Sequence, residues 1–188
     1  MALDIGIDLG TANIIITIAG KGIVLNEPSV VAYDKKKKAV VAVGAEAYKM
    51  IGRTPEYIVA VRPLKDGVIS DNDMTEAMIR EFIHMVNGGA MMKPRIVLCV
   101  PSSVTDVERR AVVEAAMSAG ARKVFLIEEP IAALIGAGVD ISKPNGTMVV
   151  DIGGGTADVA IVSFNGIVQS RSIKMAGNKF DQAIIRHI

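Results

Sequence analysis

The sequence predicts an α/β fold, with a mixed sheet flanked by helices and a second, truncated domain. Three features support this: an opening antiparallel meander, later strands that alternate with helices, and a late second copy of the opening motif. Of the 188 residues 51% are hydrophobic, which is enough for one sizeable core. The formal net charge of +1 argues against a nucleic-acid partner, because phosphate contacts need a basic surplus.

The meander and a smaller insertion occupy the first part of the chain. Residues 3–9 alternate apolar and polar side chains, which predicts a strand, and further strands follow at 14–19 and 23–25. Between residues 39 and 70 the pattern is shorter and mixed, with one strand at 39–43 and one small helix. This stretch is typical of a minor subdomain.

Helices and strands alternate after the insertion. Asp73 is predicted to cap a helix whose apolar stripe includes Met78, Phe82 and Met85, and glycines end it at residue 88. A second helix follows the capping box of Thr105 and Glu108. Two apolar runs, 95–100 and 124–127, predict buried parallel strands.

The single cysteine excludes an intrachain disulfide. Cys99 lies within the first of these apolar runs, so we expect a buried core thiol. A reduced, cytosolic setting is the favoured interpretation.

The opening motif is repeated near the end of the sequence. The first copy consists of Asp8, Gly10 and Thr11, then a strand, then Val24. The second copy consists of an Asp-x-Gly-Gly-Gly-Thr turn, then a strand, then Val168. From threonine to valine the spacing is 24 − 11 = 13 in one copy and 168 − 156 = 12 in the other. The repeat indicates a duplication and two similar domains that face each other.

Each copy carries residues suited to a phosphate ligand. Glycines let the backbone approach phosphate closely, and the hydroxyls of Thr11 and Thr156 add donors. Asp8 and Asp151 end their strands where they can hold Mg²⁺ through its water shell. One such turn is weak evidence, but two facing turns predict a polyphosphate site.

A third element comes from Glu128, Glu129 and Pro130, at the predicted start of a helix. The Glu129 carboxylate is placed to orient or deprotonate an attacking water. For Glu128 we favour the simpler role of a helix-capping acid.

These motifs resemble those of the actin/Hsp70/sugar-kinase superfamily, and within it most closely the MreB/Mbl family of bacterial actin-like rod-shape proteins. The resemblance implies an actin-like (ribonuclease-H-like) ATPase fold. It extends over residues 3–188 and is carried by the segments 8–13, 22–29, 62–67, 127–130, 150–156 and 175–181. It departs from the usual family pattern at Ala157 and Asn178, where threonine and aspartate are expected, although asparagine remains a good helix N-cap.

The resemblance implies a cytoplasmic ATPase that binds ATP and Mg²⁺ between its domains and polymerises on the inner membrane surface, guiding cell-wall synthesis. Its expected partners are further copies of itself, that membrane surface and the cell-wall elongation machinery. Asp8 and Asp151 would serve the Mg²⁺ shell, and Glu129 would position the hydrolytic water. The expected phosphate-binding residues are Gly10, Thr11, Ala12, Asn13, Gly153, Gly154, Gly155 and Thr156.

The family fold divides the chain into subdomain IA (1–34 and 71–145), subdomain IB (35–70) and the start of subdomain IIA (146–188). We expect an N-terminal portion of a longer protein with half of the nucleotide site. Such a portion should bind ATP weakly and hydrolyse it negligibly. Its uncovered apolar faces and strand edges should favour self-association, including strand exchange.

A glycine-rich loop also has a meaning within the family. Met91 and Met92 follow two glycines and precede Lys93, and in similar proteins the corresponding loop dips into the bilayer interface. The alternative, that both methionines pack back onto the domain, is equally favoured.

Two other functional classes share paired phosphate turns. A sugar- or acetate-kinase-type phosphotransferase needs an acidic base for the acceptor hydroxyl and generally lacks the Glu-Pro-x-Ala-Ala connection found here. An Hsp70-like ATPase needs a far longer chain. The choice between ATP and GTP stays open.

Overall fold

The computed structural model describes residues 3–88 and 92–188, in which strands and helices follow the predicted order. The helices are α1 (Gly44–Met50), α2 (Asn72–Asn87), α3 (Asp106–Ser118), α4 (Glu129–Gly136) and α5 (Gly177–His187). The strands are β1 (Asp4–Leu9), β2 (Asn13–Ile18), β3 (Gly22–Pro28), β4 (Val31–Asp34), β5 (Ala39–Val43), β6 (Ile58–Val61), β7 (Leu64–Lys65), β8 (Val68–Ile69), β9 (Arg95–Val100), β10 (Lys123–Glu128), β11 (Thr147–Ile152), β12 (Ala157–Ser163) and β13 (Gly166–Ile173).

The main sheet is mixed, as the sequence predicts. Its five strands lie in the order β10-β9-β1-β2-β3. The pairs β1–β2 and β2–β3 are antiparallel, whereas β1–β9 and β9–β10 are parallel. The carboxyl ends of β1, β9 and β10 therefore lie at one edge of the sheet. Asp8, near the end of β1, and Glu128, at the end of β10, are both at this edge.

A second antiparallel meander, β11-β12-β13, repeats β1-β2-β3. Both contain a one-residue bulge in the third strand: Val24 of β3 is skipped in the pairing with β2, and Val168 of β13 is skipped in the pairing with β12. Val24 and Val168 are the valines that close the two copies of the sequence repeat. A β-bulge bends a strand and increases its twist, so the two meanders share a local shape as well as a motif.

Two small sheets occupy the insertion. One has the strand order β5-β4-β6, so β4 pairs with the insertion strands and not with the five-stranded sheet. The other is the hairpin β7-β8, whose turn is Asp66-Gly67. Both turn residues have positive φ, 51° and 78°, as a two-residue turn of the type I′ class requires.

The main core lies on one face of the five-stranded sheet. Ile7, Ile16 and Leu98 point from the sheet toward α2 and α3, which also bury Met78 and Phe82. These side chains are at most 2% exposed. Burial on this scale is the main favourable term in folding a domain of this size.

The opposite face of that sheet is open. Val97 on β9 and Phe125 on β10 are 40% and 46% exposed. The prediction of two buried strands was therefore wrong in part, because helices cover only one of their faces. Apolar residues lie on both faces of these two strands, so the sequence does not distinguish the covered face from the open one.

The structure corrects three helix details. The N-cap of α2 is Asp71, whose side chain accepts from the Met74 backbone N–H, and not Asp73. Met85 is 57% exposed and does not belong to the buried stripe. The cap of α5 is Ala176, so Asn178 lies within the helix and not at its cap. The Thr105 capping box and the glycine ending α2 are confirmed.

The second meander and α5 are sparsely covered. Met148, Val150 and Ile152 on β11 are exposed, and α5 has no buried residue. This agrees with the expected uncovered faces. Within the described ranges, no helix combines the length and apolar character needed to cross a membrane.

Two methionines on α2 give a matched test of the core. Met78→Ala should lower the free energy of unfolding by about 2–5 kcal/mol, because it opens a cavity beneath the sheet. Met85→Ala on the exposed side of the same helix should change it by less than about 0.5 kcal/mol. Urea denaturation of both variants measures the difference, and equal effects would contradict this packing.

Candidate functional site

The two glycine turns of the repeat meet around one cavity. The turn between β1 and β2 lies on one side and the turn between β11 and β12 on the other. The cavity holds about 80 Å³, which is room for several water molecules and less than the ~300–1,000 Å³ of typical ligand pockets. Its lining comprises Asp8, Leu9, Gly10, Thr11, Gly67, Glu129, Asp151, Gly153, Gly154, Gly155 and Thr156.

The turns touch each other, and this contact requires glycine. A Cβ on Gly154 would lie 2.6 Å from the Cβ of Ala12, and one on Gly155 would lie 2.6 Å from Thr11 Oγ1. Real Cβ atoms do not approach so closely. The predicted glycines thus permit a close approach of two backbones as well as exposing N–H groups.

Hydrogen bonds hold both turns in place. Ser29 Oγ donates to the Gly10 carbonyl at 2.6 Å, and an Arg62 guanidinium nitrogen donates to the Ala12 carbonyl at 3.1 Å. On the other side, the first backbone N–H groups of α5 donate to the carbonyls of Gly153 and Gly154, at 3.1 and 2.9 Å. The second turn is therefore fixed to the N-terminal end of α5.

Sequence reasoning missed the β7-β8 hairpin as part of the site. The Gly67 N–H donates to Thr11 Oγ1 at 2.9 Å, and a Cβ on Gly67 would lie 2.9 Å from the Thr156 side chain. The tip of this hairpin therefore lies between the two threonines. The Asp66-Gly67 dipeptide signals a tight turn, but nothing in its sequence places that turn 56 residues away, against Thr11.

Three carboxylates converge on the cavity. Burial raises the pKa of the Glu129 carboxyl to about 8, and the charges of Asp8, Asp158 and Asp151 add to the shift. Burial likewise raises the pKa of Asp8, with a contribution from Asp151. The pKa of Asp151 is raised by burial and by Asp158. Asp8 and Asp151 both line the cavity and therefore face a common space.

The cavity lacks a compensating positive side chain. Of the described residues that line it, none is lysine, arginine or histidine. Nor do any three His, Cys, Asp or Glu side chains in the described ranges form a group able to hold a metal ion. Two carboxylates with room for water are the donor set that Mg²⁺ accepts, because it keeps much of its hydration shell. The residues present therefore fit a water-mediated Mg²⁺ site.

Glu129 begins α4, which packs against β10 and against β11 and β12 of the second meander. Its carboxylate thus lies at the helix N-terminus, as predicted. Glu128 occupies the N-cap position but makes no side-chain cap. Its carboxylate accepts a hydrogen bond from Arg109 at 3.1 Å, so the capping prediction was wrong.

Other predicted residues lie elsewhere. Cys99 is half-buried on the open face of the sheet, and burial and then the charge of Asp8 raise its pKa to about 12. It is therefore not a core-facing thiol.

Asn13 begins β2 and is exposed, outside the cavity lining. Met92 is 48% exposed, and Met91 lies outside the described residues.

A larger concavity, of about 370 Å³, lies on the open face of the five-stranded sheet. It is mainly apolar, and its charged groups are Asp4 and Arg95, which pair with each other at 2.6 Å. It contains neither glycine turns nor converging unpaired carboxylates. We place the candidate site in the smaller cavity for this reason.

The fold is that of the actin-like proteins. The structure superimposes on MreB5 of Spiroplasma citri bound to AMPPNP with a TM-score of 0.88 and 41% identity, covering 100% of this chain and 57% of that one. It also matches a MamK double helical filament with a TM-score of 0.80 at 23% identity, covering 99% and 58%; that likeness shows the fold alone.

The family follows from the sequence match. The family model for MreB/Mbl protein covers residues 2–188, and the chain belongs to that family. It is 58% identical to the cell shape-determining protein Mbl of Bacillus subtilis and 54% identical to MreB of Escherichia coli, over 100% and 98% of this chain. The chain spans 56% and 55% of those two proteins. The resemblance seen in the sequence is confirmed, and these comparisons give no support to the kinase or Hsp70-like alternatives.

The raised pKa of Glu129 predicts a pH-dependent stability. Between about pH 4.5 and 8 the folded protein keeps a proton that the unfolded chain has released, so stability falls as pH rises through this window. Glu129→Gln should therefore raise the unfolding free energy near pH 8 by about 1–2 kcal/mol, because the carboxylate is only partly screened by solvent, and change it little near pH 4.

Urea denaturation at both pH values measures this effect. Glu114→Gln, on the exposed side of α3, is the control for removing a carboxylate away from the cavity. A gain from Glu129→Gln that is equal at both pH values would contradict the assignment.

Proposed function

We propose that this chain supplies the phosphate-binding and Mg²⁺-binding part of an actin-like ATPase that forms filaments. The observation that carries the proposal is the cavity where two duplicated glycine turns meet three carboxylates. The AMPPNP bound to the related MreB5 structure, and the ADP bound to another structure of that protein, support a nucleotide as the ligand.

The phosphates would be held from both sides. Backbone N–H groups of the first turn (10–13) and the second turn (153–156) would donate to phosphate oxygens. Thr11 Oγ1 already accepts from the Gly67 N–H, which leaves its hydroxyl proton free to be donated. The assignment of Asn13 and Ala12 to this set rests on the backbone of the turn, because neither side chain lines the cavity.

Asp8 and Asp151 would hold Mg²⁺ through water. When bound, this ion neutralises charge on the phosphates and on the surrounding carboxylates. With that repulsion reduced, the Glu129 carboxyl would ionise more readily and could accept a proton from an attacking water, or orient it. The helix dipole of α4 would favour this ionised form.

The subdomain assignment is part of the proposal. Subdomain IA would comprise 1–34 and 71–145, subdomain IB 35–70, and subdomain IIA would begin at 146. The five-stranded sheet supports the first and the meander β11-β12-β13 the third. Strand β4 would mark the border with subdomain IB, since it pairs with β5 and β6.

Membership of the family supports a proposal for assembly and location. We infer that the chain associates with copies of itself in protofilaments, and that the 188-residue chain alone also forms strand-exchanged oligomers through the edge strand β11. The proposed location is the cytoplasm, peripheral to the inner face of the cell membrane. The proposed partners there are that membrane and the cell-wall elongation machinery.

Nucleotide titration tests the site. The 188-residue chain should bind Mg²⁺–ATP only in the millimolar range and hydrolyse it negligibly, because its cavity of about 80 Å³ accommodates phosphates and not a whole nucleotide. Asp151→Asn should weaken this binding at least about tenfold by removing one Mg²⁺-binding carboxylate. Asp140→Asn, in an exposed loop, is the matched control.

Calorimetry with concentrated protein measures both affinities. A low-micromolar affinity for the wild-type chain would contradict the expected partial site. Equal affinities of Asp151→Asn and Asp140→Asn would contradict the proposed role of Asp151.

Membrane contact is tested separately. Met91→Ser combined with Met92→Ser should reduce co-sedimentation with anionic liposomes several-fold, because each methionine would lose apolar burial at the interface. The control is Met85→Ser combined with Met117→Ser, two exposed methionines on α2 and α3. Unchanged co-sedimentation of the loop variant would refute the membrane proposal.

A further inference from the structure

A fourth carboxylate lies beside the cavity and has no role in the proposed function. Asp158 on β12 is 1% exposed. In the part of the chain that the structure describes, no lysine, arginine or histidine forms an ion pair with it. Burial of an unpaired carboxylate is costly, so its hydrogen bonds are expected to matter.

Two serine hydroxyls satisfy this carboxylate. Ser102 Oγ donates to Oδ1 at 3.0 Å, and Ser172 Oγ donates to Oδ2 at 3.2 Å. Ser172 is the cross-strand neighbour of Asp158 on β13, within the second meander. Ser102 follows β9 and belongs to the first half of the molecule. One hydrogen bond is therefore internal to the second meander, whereas the other joins the two halves.

The joining bond lies close to both phosphate turns. Asp158 is directly opposite Asp151 in the β11-β12 register, and lies two residues after Thr156. Pro101, adjacent to Ser102, would lie 3.2 Å from a Cβ on Gly67, whose N–H contacts Thr11. A short path of contacts thus connects Ser102 to the residues that face the cavity on either side.

We propose that Asp158 is a positioning residue, and that its hydrogen bond from Ser102 is a latch that holds the second glycine turn against the first. The latch sets the spacing of the two turns and thereby the affinity of the site for a phosphate ligand. The ligand part of this inference rests on the proposed function. The spacing part rests on the geometry alone.

A purely structural role for Asp158 makes a different prediction. If its carboxylate only stabilises the second meander, the two serines are equivalent, since each donates one hydrogen bond to the same group. If the Ser102–Asp158 bond is a latch, only its loss should loosen the contact between the turns. The pair Ser102→Ala and Ser172→Ala therefore separates the two roles, with each variant as the other's control.

Both readouts come from NMR on the ¹⁵N-labelled chain. Without nucleotide, Ser102→Ala should accelerate amide hydrogen exchange in both turns, 10–13 and 153–156, about tenfold. Ser172→Ala should accelerate exchange in β12 and β13 and leave the first turn within about twofold of wild type. In a titration with Mg²⁺–ATP, Ser102→Ala should bind about tenfold more weakly and Ser172→Ala within about twofold. Ser102→Thr, which keeps the hydroxyl, should restore both properties.

The results decide the two proposals independently. Equal exchange in the first turn for Ser102→Ala and Ser172→Ala would overturn the latch, as would failure of Ser102→Thr to restore slow exchange. Because exchange is measured without nucleotide, it decides the latch even if wild type shows no response to Mg²⁺–ATP. That absence of response would overturn the proposed function alone. Melting temperatures identify any variant that fails to fold.

Discussion

The site depends on an electrostatic constraint: carboxylates from both halves of the molecule face one small cavity without a basic side chain among its described lining residues. Asp8 and Asp151 come from the two copies of the repeat, and Glu129 from the helix between them. Each has a raised pKa, first because of burial and then because of its acidic neighbours. Such repulsion is tolerated where a cation or a proton compensates it. The fold thus holds an arrangement that is unfavourable in isolation and that Mg²⁺ would relieve.

Backbone contacts keep these carboxylates together. The turns approach so closely that side chains at Gly154 and Gly155 would collide with the first turn. The β7-β8 hairpin fills the remaining space between Thr11 and Thr156. Helix α4 packs against both β10 and the second meander, and so links Glu129 to each half. A shift of either half would therefore change the geometry of the cavity directly.

Much of this could be predicted from local sequence, and the reasons are physical. The alternation in β1, the capping box at Thr105 and the repeated Asp-x-Gly turns are short-range signals, and the structure agrees with each. Prediction was weaker where several residues could fill one role. Asp71 and not Asp73 caps α2. The Glu128 carboxylate accepts a hydrogen bond from Arg109 and does not cap α4. Gly67 and Asp158 could not be assigned, because their partners are 56 residues away in sequence.

The bulge shared by β3 and β13 has a consequence for the direction of any ligand. Two meanders with similar glycine turns and the same bulge offer a ligand similar surroundings on its two sides. A nucleotide has two different ends, so similar duplicated parts do not by themselves determine its orientation. If the chain binds a nucleotide as proposed, elements that occur once would distinguish its two ends, and this chain offers the β7-β8 hairpin and Glu129 at the start of α4. The duplicated turns would then contact the ligand from both sides, and the unrepeated elements would set its orientation.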